Sequence, residues 1–425
     1  MAAGVRAAPP LLPHPGGRKA RAAALRGAPR LGVAAAAAAV LVLALSYTLS
    51  EGGERARLAA DQADGRLFVL AFYFPQFHPI PENDAIYFEG FSDWALVKDA
   101  PPTNRLGAPV KKPAPPLGYY DPRDYIVRRA QAQLARDYGL DGFIYYHYWL
   151  ENKLVMGEVI DRMLLDGQPD LPFVLCWVNE SWQRKFYGME RKVTFEQKFD
   201  APADHAAYLA RVFESPLYLR VDGRPLLIVY TRDMPQSYLS ALQDGVEALT
   251  GRRMFITSCL MTLEDMYRLM PGADALVEFH PNLNPGYPNT TNYGQDLALA
   301  EQCPYPMTAE GFFNVTVPRL RAAMCEARSG DALYAVFAWN EWGEGAVLEP
   351  NTGEGARLGE ALARARREAE RLHGEDRASG RCRGAPGAAG GGGGAAGAPG
   401  AGGAASPPPL RIRPGHGDGV GDAPA

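Results

Sequence analysis

The chain has 425 residues, of which 47% are hydrophobic and 22% charged, with a formal net charge of -4. That length supplies core for one large barrel or two ordinary domains. Lys and Arg are scattered rather than striped, and with so little net charge nucleic acid is excluded as an expected partner.

Residues 1–30 form a basic tail carrying Arg6, Arg18, Lys19, Arg21, Arg26 and Arg30 and no acid, and they precede an uncharged run over 31–49. At about 1.5 Å rise per residue that run is just long enough to cross a bilayer as a helix. Glu51, Glu54, Asp61 and Asp64 follow it. This asymmetry predicts a signal anchor with a type II orientation, the remainder lying in the lumen of the secretory pathway, in the Golgi. A cleaved signal peptide on a secreted protein and an Arg- and Ala-rich organelle transit peptide are the alternatives. Sequons at Asn179, Asn289 and Asn314 suit a secretory route, with Asn179 expected to stay unglycosylated inside a site motif.

After a linker over 50–66, short β-branched and aromatic runs alternate with helical stretches. Strands are expected at 67–74, 142–149, 172–177, 225–230, 254–259 and 275–279, and a last one runs into Ala335-Val336-Phe337-Ala338. Helices are expected over 123–137, stopped by Gly139, and over 152–166. A long irregular loop follows the first strand, holding Phe88-Glu89-Gly90-Phe91-Ser92-Asp93-Trp94 and a proline-rich stretch; loops of that length in a compact domain usually carry function. Everything over 373–425 is rich in Gly, Ala and Pro and reads as a disordered tail.

Polar and aromatic residues recur where strands end: Gln76 and His78; Tyr146, His147 and Trp149; Trp177, Asn179, Glu180 and Trp182; Glu278 and His280; and finally Trp339, Asn340, Glu341, Trp342 and Glu344. Trp94 joins them from the long loop. A (β/α)8 TIM-type barrel over 67–372 builds its site from the C-terminal ends of several strands, which accounts for the recurrence. A doubly wound sheet is the rival, and no G-x-G-x-x-G follows the first strand. Seven strands are clear; an eighth unit, seventh in order, is either irregular near 305–307 or missing.

Two acids three residues apart, flanked by Trp339 and Trp342, are the strongest chemical signal. Burial and mutual repulsion split the pKa values of such a pair into one acid and one base or nucleophile, which suits cleavage of a glycosidic bond. Indole faces stack on sugar rings. The competing reading makes Glu341 or Glu344 a helix cap and the tryptophans core. His147 and His280 are equally readable as core histidines, and Glu180 and Glu278 as partners of Arg184 or Arg232. No H-x-x-x-H or H-E-x-x-H spacing is present, so neither metal nor cofactor is expected. The five cysteines, Cys176, Cys259, Cys303, Cys325 and Cys382, make no C-x-x-C; their odd number leaves room for one bridge such as Cys303 to Cys325.

Seven motifs in order, Phe74-Pro75-Gln76-Phe77-His78, Gly90-Phe91-Ser92-Asp93-Trp94, Leu117-Gly118-Tyr119-Tyr120-Asp121, Gly142-Phe143 with Tyr146-His147-Tyr148-Trp149, Trp177-Val178-Asn179-Glu180-Ser181-Trp182, Asp222-Gly223-Arg224-Pro225 and Trp339-Asn340-Glu341-Trp342-Gly343-Glu344-Gly345, resemble the WbsX-type glycosyltransferases. That family is similar in turn to the endo-acting α-mannosidases of glycoside hydrolase family 99, which are (β/α)8 barrels. The resemblance implies a glycan substrate and retaining chemistry, with Glu341 as base on the sugar 2-hydroxyl and Glu344 as acid, then base, at the glycosidic oxygen. A glycosyltransferase of glycan biosynthesis and a catalytically silent glycan-binding barrel are the alternatives. No D-x-D pair or Gly-rich phosphate cradle is present for a nucleotide sugar, which favours hydrolysis or transglycosylation. The chain departs from the family pattern in lacking a Trp-Asp-Asn-x-x-Arg stretch, in whose place stands Phe312-Phe313-Asn314-Val315-Thr316-Val317-Pro318-Arg319.

Overall fold

Seven apolar runs pair in parallel into one sheet: β1 (Leu67–Tyr73), β2 (Gly142–Leu150), β3 (Phe173–Trp177), β4 (Arg224–Val229), β5 (Phe255–Leu260), β6 (Ala275–Glu278) and β7 (Ala332–Val336). The computed structural model describes residues 65–103, 109–183, 193–231, 233–260, 273–278, 308–327, 330–382 and 411–415. His280, the 31–49 run and the expected irregular unit near 305–307 lie outside the described residues. Among the described residues no helix is long and apolar enough to cross a membrane.

The spatial order is β6-β5-β4-β3-β2-β1-β7. Each of the first six strands lies beside its sequence neighbour, and the last returns to the free edge of the first, with Leu67 opposite Ala332. This is a mixed α/β, parallel-dominated architecture of TIM-like winding, and all seven expected strands are in it. β1, β2 and β3 are buried along their whole length, as strands covered on both faces must be. The entry to β2 needs glycine, because a Cβ at Gly142 would stand 2.3 Å from the Pro172 carbonyl oxygen.

The helices are α1 (Pro81–Ile86), α2 (Asp93–Asp99), α3 (Tyr125–Asp137), α4 (Glu158–Asp166), α5 (Pro202–Phe213), α6 (Gln236–Thr250), α7 (Ala309–Glu326) and α8 (Arg357–Ala378). α3 starts after Asp124, whose carboxylate accepts from the Ile126 N–H at 2.9 Å and so caps the first turn.

Three expectations are corrected. The helix over 152–166 is only α4; before it Lys153–Val155 folds back antiparallel on β2, through Glu151 and Asn152 at φ 50° and 61°. The chain after 372 is not structureless throughout. α8 continues to Ala378 on a buried stripe of Leu358, Ala361, Leu362, Ala365 and Ala369, spaced three and four apart, and Ile412–Pro414 pairs antiparallel with Leu219–Val221. Finally, Cys325 is bonded to Cys382 rather than to Cys303, because α7 and α8 pack together and bring their C-terminal ends side by side.

Candidate active site

The loop after β7 is held by its neighbour strand. Asn340 accepts from the Phe74 N–H at 2.7 Å and donates to the Phe74 carbonyl at 2.9 Å, joining the ends of β7 and β1. Asn340–Glu341 then pairs antiparallel with Ala346–Val347, a hairpin closed at Gly345 with φ +71°, so Glu341 and Glu344 are presented on one tight turn. Lys111, buried, donates to the Gly345 carbonyl at 3.4 Å.

Behind the hairpin lies a carboxyl that the sequence reading passed over. Glu349 accepts from Trp342 Nε1 at 2.9 Å, the Tyr120 hydroxyl at 3.0 Å and Gln131 Nε2 at 2.8 Å. Burial pushes it up to about 7 even though these donors pull the other way. Tyr120 in turn accepts from Asn340 Nδ2 at 3.1 Å, so a single polar network fixes Trp342, Asn340 and the hairpin between them. Its only sequence signal is an acid placed directly after a buried Val-Leu pair.

Glu341 is buried, and its carboxyl stands well above the usual range. Burial is the main cause, followed by the charges of Glu344 and Asp93, while a hydrogen bond from Tyr146 opposes them. Asp93, from the first turn of α2, is likewise buried and pushed up to about 8 by burial, with one carboxyl oxygen lacking a hydrogen-bond partner. Glu344 is half-buried. The Tyr148 hydroxyl feels Glu341 and Asp93, and that of Tyr230 feels Glu344 and Glu180. Three carboxyls and the phenols of Tyr146, Tyr148 and Tyr230 thus share one electrostatic neighbourhood at the strand ends. Asp93, Tyr148 and Tyr230 are the members that strand-end counting left out.

The other expected residues divide. Glu180 is exposed at the rim, and Trp182 sets its ring edge-on to Tyr148 at 5.2 Å. Trp94 and Trp342 pack at 5.9 Å in a small apolar cluster with Phe77, and Trp94 Nε1 donates to the Tyr120 carbonyl at 2.6 Å. Half-buried Gln76 accepts at its carbonyl from the Asp93 N–H, and His78 is buried with Nδ1 3.0 Å from the Pro79 carbonyl. Glu278 ends β6.

Five expected contacts face elsewhere. Along β2 successive side chains alternate between faces. Tyr146 and Tyr148 therefore point toward Glu341, while His147 and Trp149 point into the helix layer. His147 Nε2 is 2.9 Å from His205 Nε2 of α5, and Trp149 stacks on His205 at 4.7 Å. Trp177 packs edge-on to the same His205, and Trp339 packs on Phe143 at 5.2 Å. Asn179 repeats the Asn340 device: it accepts from Thr231 N–H at 2.8 Å and donates to the Thr231 carbonyl at 3.1 Å, tying β3 to β4. These five, and Asn340 with them, make their contacts within the frame of the fold.

A family model described as Glycosyltransferase WbsX matches residues 69–302, over half of the chain. The chain belongs to the WbsX family. The matched region ends before β7, so the Glu341–Glu344 hairpin lies beyond it. A protein designated WxcX, in two strains of Xanthomonas campestris pv. campestris, is 34% identical over 335 residues, covering 67% of this chain and 47% of its own length. The WbsX chain therefore spans about half the length of these curated relatives. Among solved structures it is similar to the GH99 endo-alpha-mannosidase of Bacteroides thetaiotaomicron, with 12% identity, a TM-score of 0.46, and coverage of 73% of this chain and 98% of that one. A glycoside hydrolase-like protein scores 0.43 at 13% identity, covering 72% and 94%.

Proposed function

We propose that this WbsX chain acts on glycosidic bonds of a glycan, by retaining hydrolysis or transglycosylation, with Glu341 and Glu344 as the reacting carboxyls. The seven described strands would then belong to a closed (β/α)8 barrel. The observation that carries the reading is Glu341, kept proton-loving first by burial and then by Glu344 and Asp93, on a hairpin pinned to β1.

In this reading the pair shares one proton. Passing it to Glu344 leaves Glu341 as an unusually basic carboxylate, matched to a weakly acidic sugar 2-hydroxyl. Glu341 takes that proton, the sugar oxygen attacks its own anomeric carbon, and the glycosidic bond breaks as Glu344 gives its proton to the leaving oxygen. Water or an acceptor sugar, deprotonated by Glu344, then opens the ring, and Glu341 returns its proton to the 2-oxygen. Tyr146, Tyr148, Tyr230 and Trp182 would contact the sugar, with Glu180 at the rim and Gln76, Trp94 and His78 around it; Glu278 and His280 are proposed as sugar contacts from the sequence alone.

The second reading is a glycosyltransferase, favoured by the family model's description. Incubating the protein with α-mannose-containing and other glycans, with and without nucleotide sugars, separates the two. Products released without a nucleotide sugar, and lost in Glu344→Gln, support the hydrolase. Turnover that needs a nucleotide sugar supports the transferase, and no turnover at all supports a binding barrel. Glu344→Gln should still release an activated aryl leaving group, a step that needs no acid, although the following step loses its base, whereas Glu341→Gln should not. A type II orientation is proposed from the basic 1–30 tail and the uncharged 31–49 run, and protease protection of a C-terminal tag in sealed microsomes tests it.

A further inference from the structure

We propose that Cys325, His373 and Cys382 form a zinc site between α7 and α8 in the reduced chain, and that this site and the Cys325–Cys382 disulfide are two exchangeable cross-links of the same helix pair. The proposal stands apart from the glycan reading.

Cys325 sits in the last turn of α7, His373 in the second half of α8 and Cys382 four residues past its end. One donor atom from each lies within 4.8 Å of the other two, and all three side chains are half-buried, open enough for an ion to enter. Tetrahedral zinc, with Zn–S near 2.3 Å and Zn–N near 2.0 Å, asks for donor separations of about 3.5 to 3.8 Å. Small side-chain rotations reach that. Among the described residues no other three such donors converge in this way.

A disulfide uses only two of the three donors and gives the imidazole beside them no part in the bond. Zinc uses all three, and leaves a fourth position for water. Asp376 is one turn beyond His373, close enough for the two charges to act on each other, and it ion-pairs with Arg321 and Arg381. A carboxylate next to a ligating histidine is the usual outer support of a zinc ligand. Two thiolates neutralise the ion, so the two arginines do not oppose it.

The exchange balances. A dithiol reductant gives two electrons and two protons to the disulfide and becomes a disulfide itself. Zinc then displaces two protons from the two new thiols. Either cross-link steadies α7, which feeds directly into β7 and so into the hairpin carrying Glu341 and Glu344.

The test uses the full chain, reduced with a dithiol and then desalted without oxygen, and titrated with zinc against a chromophoric chelator. Reduced wild type should retain about one zinc per chain through desalting, and the oxidised chain none. His373→Ala should weaken binding at least about tenfold, and Cys325→Ser or Cys382→Ser should do the same. Cys303→Ser, at a position outside the described residues, should leave it unchanged, as should Cys176→Ser in buried β3. Far-UV circular dichroism of each variant reports folding separately. Less than about a tenth of an equivalent on reduced wild type overturns the proposal. So does His373→Ala binding like wild type, or a loss that follows Cys303→Ser and not His373→Ala.

Discussion

Asn340 gives and takes a hydrogen bond with one and the same residue, Phe74, at 2.9 and 2.7 Å, and this reciprocal pair is what fixes the end of β7 against the end of β1. No side chain of another shape does both. Asn340→Leu leaves the Phe74 N–H and carbonyl unpaired in a buried place, and should lower stability by about 2 to 4 kcal/mol. Urea denaturation measures it. Turnover should fall further than stability explains, since the hairpin that presents Glu341 loses its anchor.

Glu341, Asp93 and Glu349 all hold their protons more tightly than ordinary carboxyls, the latter two up to about 8 and about 7. The folded chain therefore keeps protons that the unfolded chain has released, so these groups make stability fall as pH rises. The effect begins above the unfolded value near 4 and is complete above about 8 for Asp93. Asp93→Asn removes its share. Between pH 5 and 7.5 the slope of unfolding free energy against pH should become less negative by about 1.4 kcal/mol per unit. An unchanged slope would mean that Asp93 is ionised in the folded chain.

Adjacent residues of β2 should behave as residues of different regions. Tyr146→Phe removes a hydrogen bond to Glu341, and should cut turnover by about 10- to 100-fold with little change in stability. His147→Gln and Trp149→Phe disturb the packing around His205, and should cost about 1 to 3 kcal/mol of stability while turnover of the folded fraction stays within about threefold. Steady-state kinetics beside thermal melts separates the two classes.

Asp331, at the head of β7, accepts from the N–H groups of Arg66 and Ile412 at 2.8 and 2.6 Å and from Arg413 at 2.8 Å. It thereby fastens the Ile412–Pro414 strand to the end of the sheet opposite the site. Asp331→Ala should release that strand, expose the Arg411–Ile412 bond to trypsin, and lower stability by about 2 to 4 kcal/mol. Limited proteolysis read by mass detects the cut.

The winding of this WbsX chain was legible early, because runs such as 67–73 and 142–150 are apolar on both faces and each ends in a cluster of polar and aromatic residues. The glutamate pair could be found for the same reason: Glu341 and Glu344 follow such a run at once. The hairpin Lys153–Val155 was missed because its turn uses Glu151 and Asn152 at positive φ, with no glycine to announce it. The strand Ile412–Pro414 was missed because its pairing partner lies nearly two hundred residues away.

What sequence by itself determined was the seven parallel strands, their direction and the end of the sheet at which polar and aromatic residues collect, all properties of local pattern. Which of two neighbours faces the site was decided only by the tertiary structure. Tyr146 turns to Glu341 and His147 to His205 because strand pairing sets the register, and a strand's two faces exchange with every residue. The same holds for Asn340, Asn179 and Glu349, whose partners Phe74, Thr231 and Tyr120 come from distant parts of the chain. A polar residue at a strand end reads alike whether it meets a ligand or a backbone; its partner is settled only when the strands assemble.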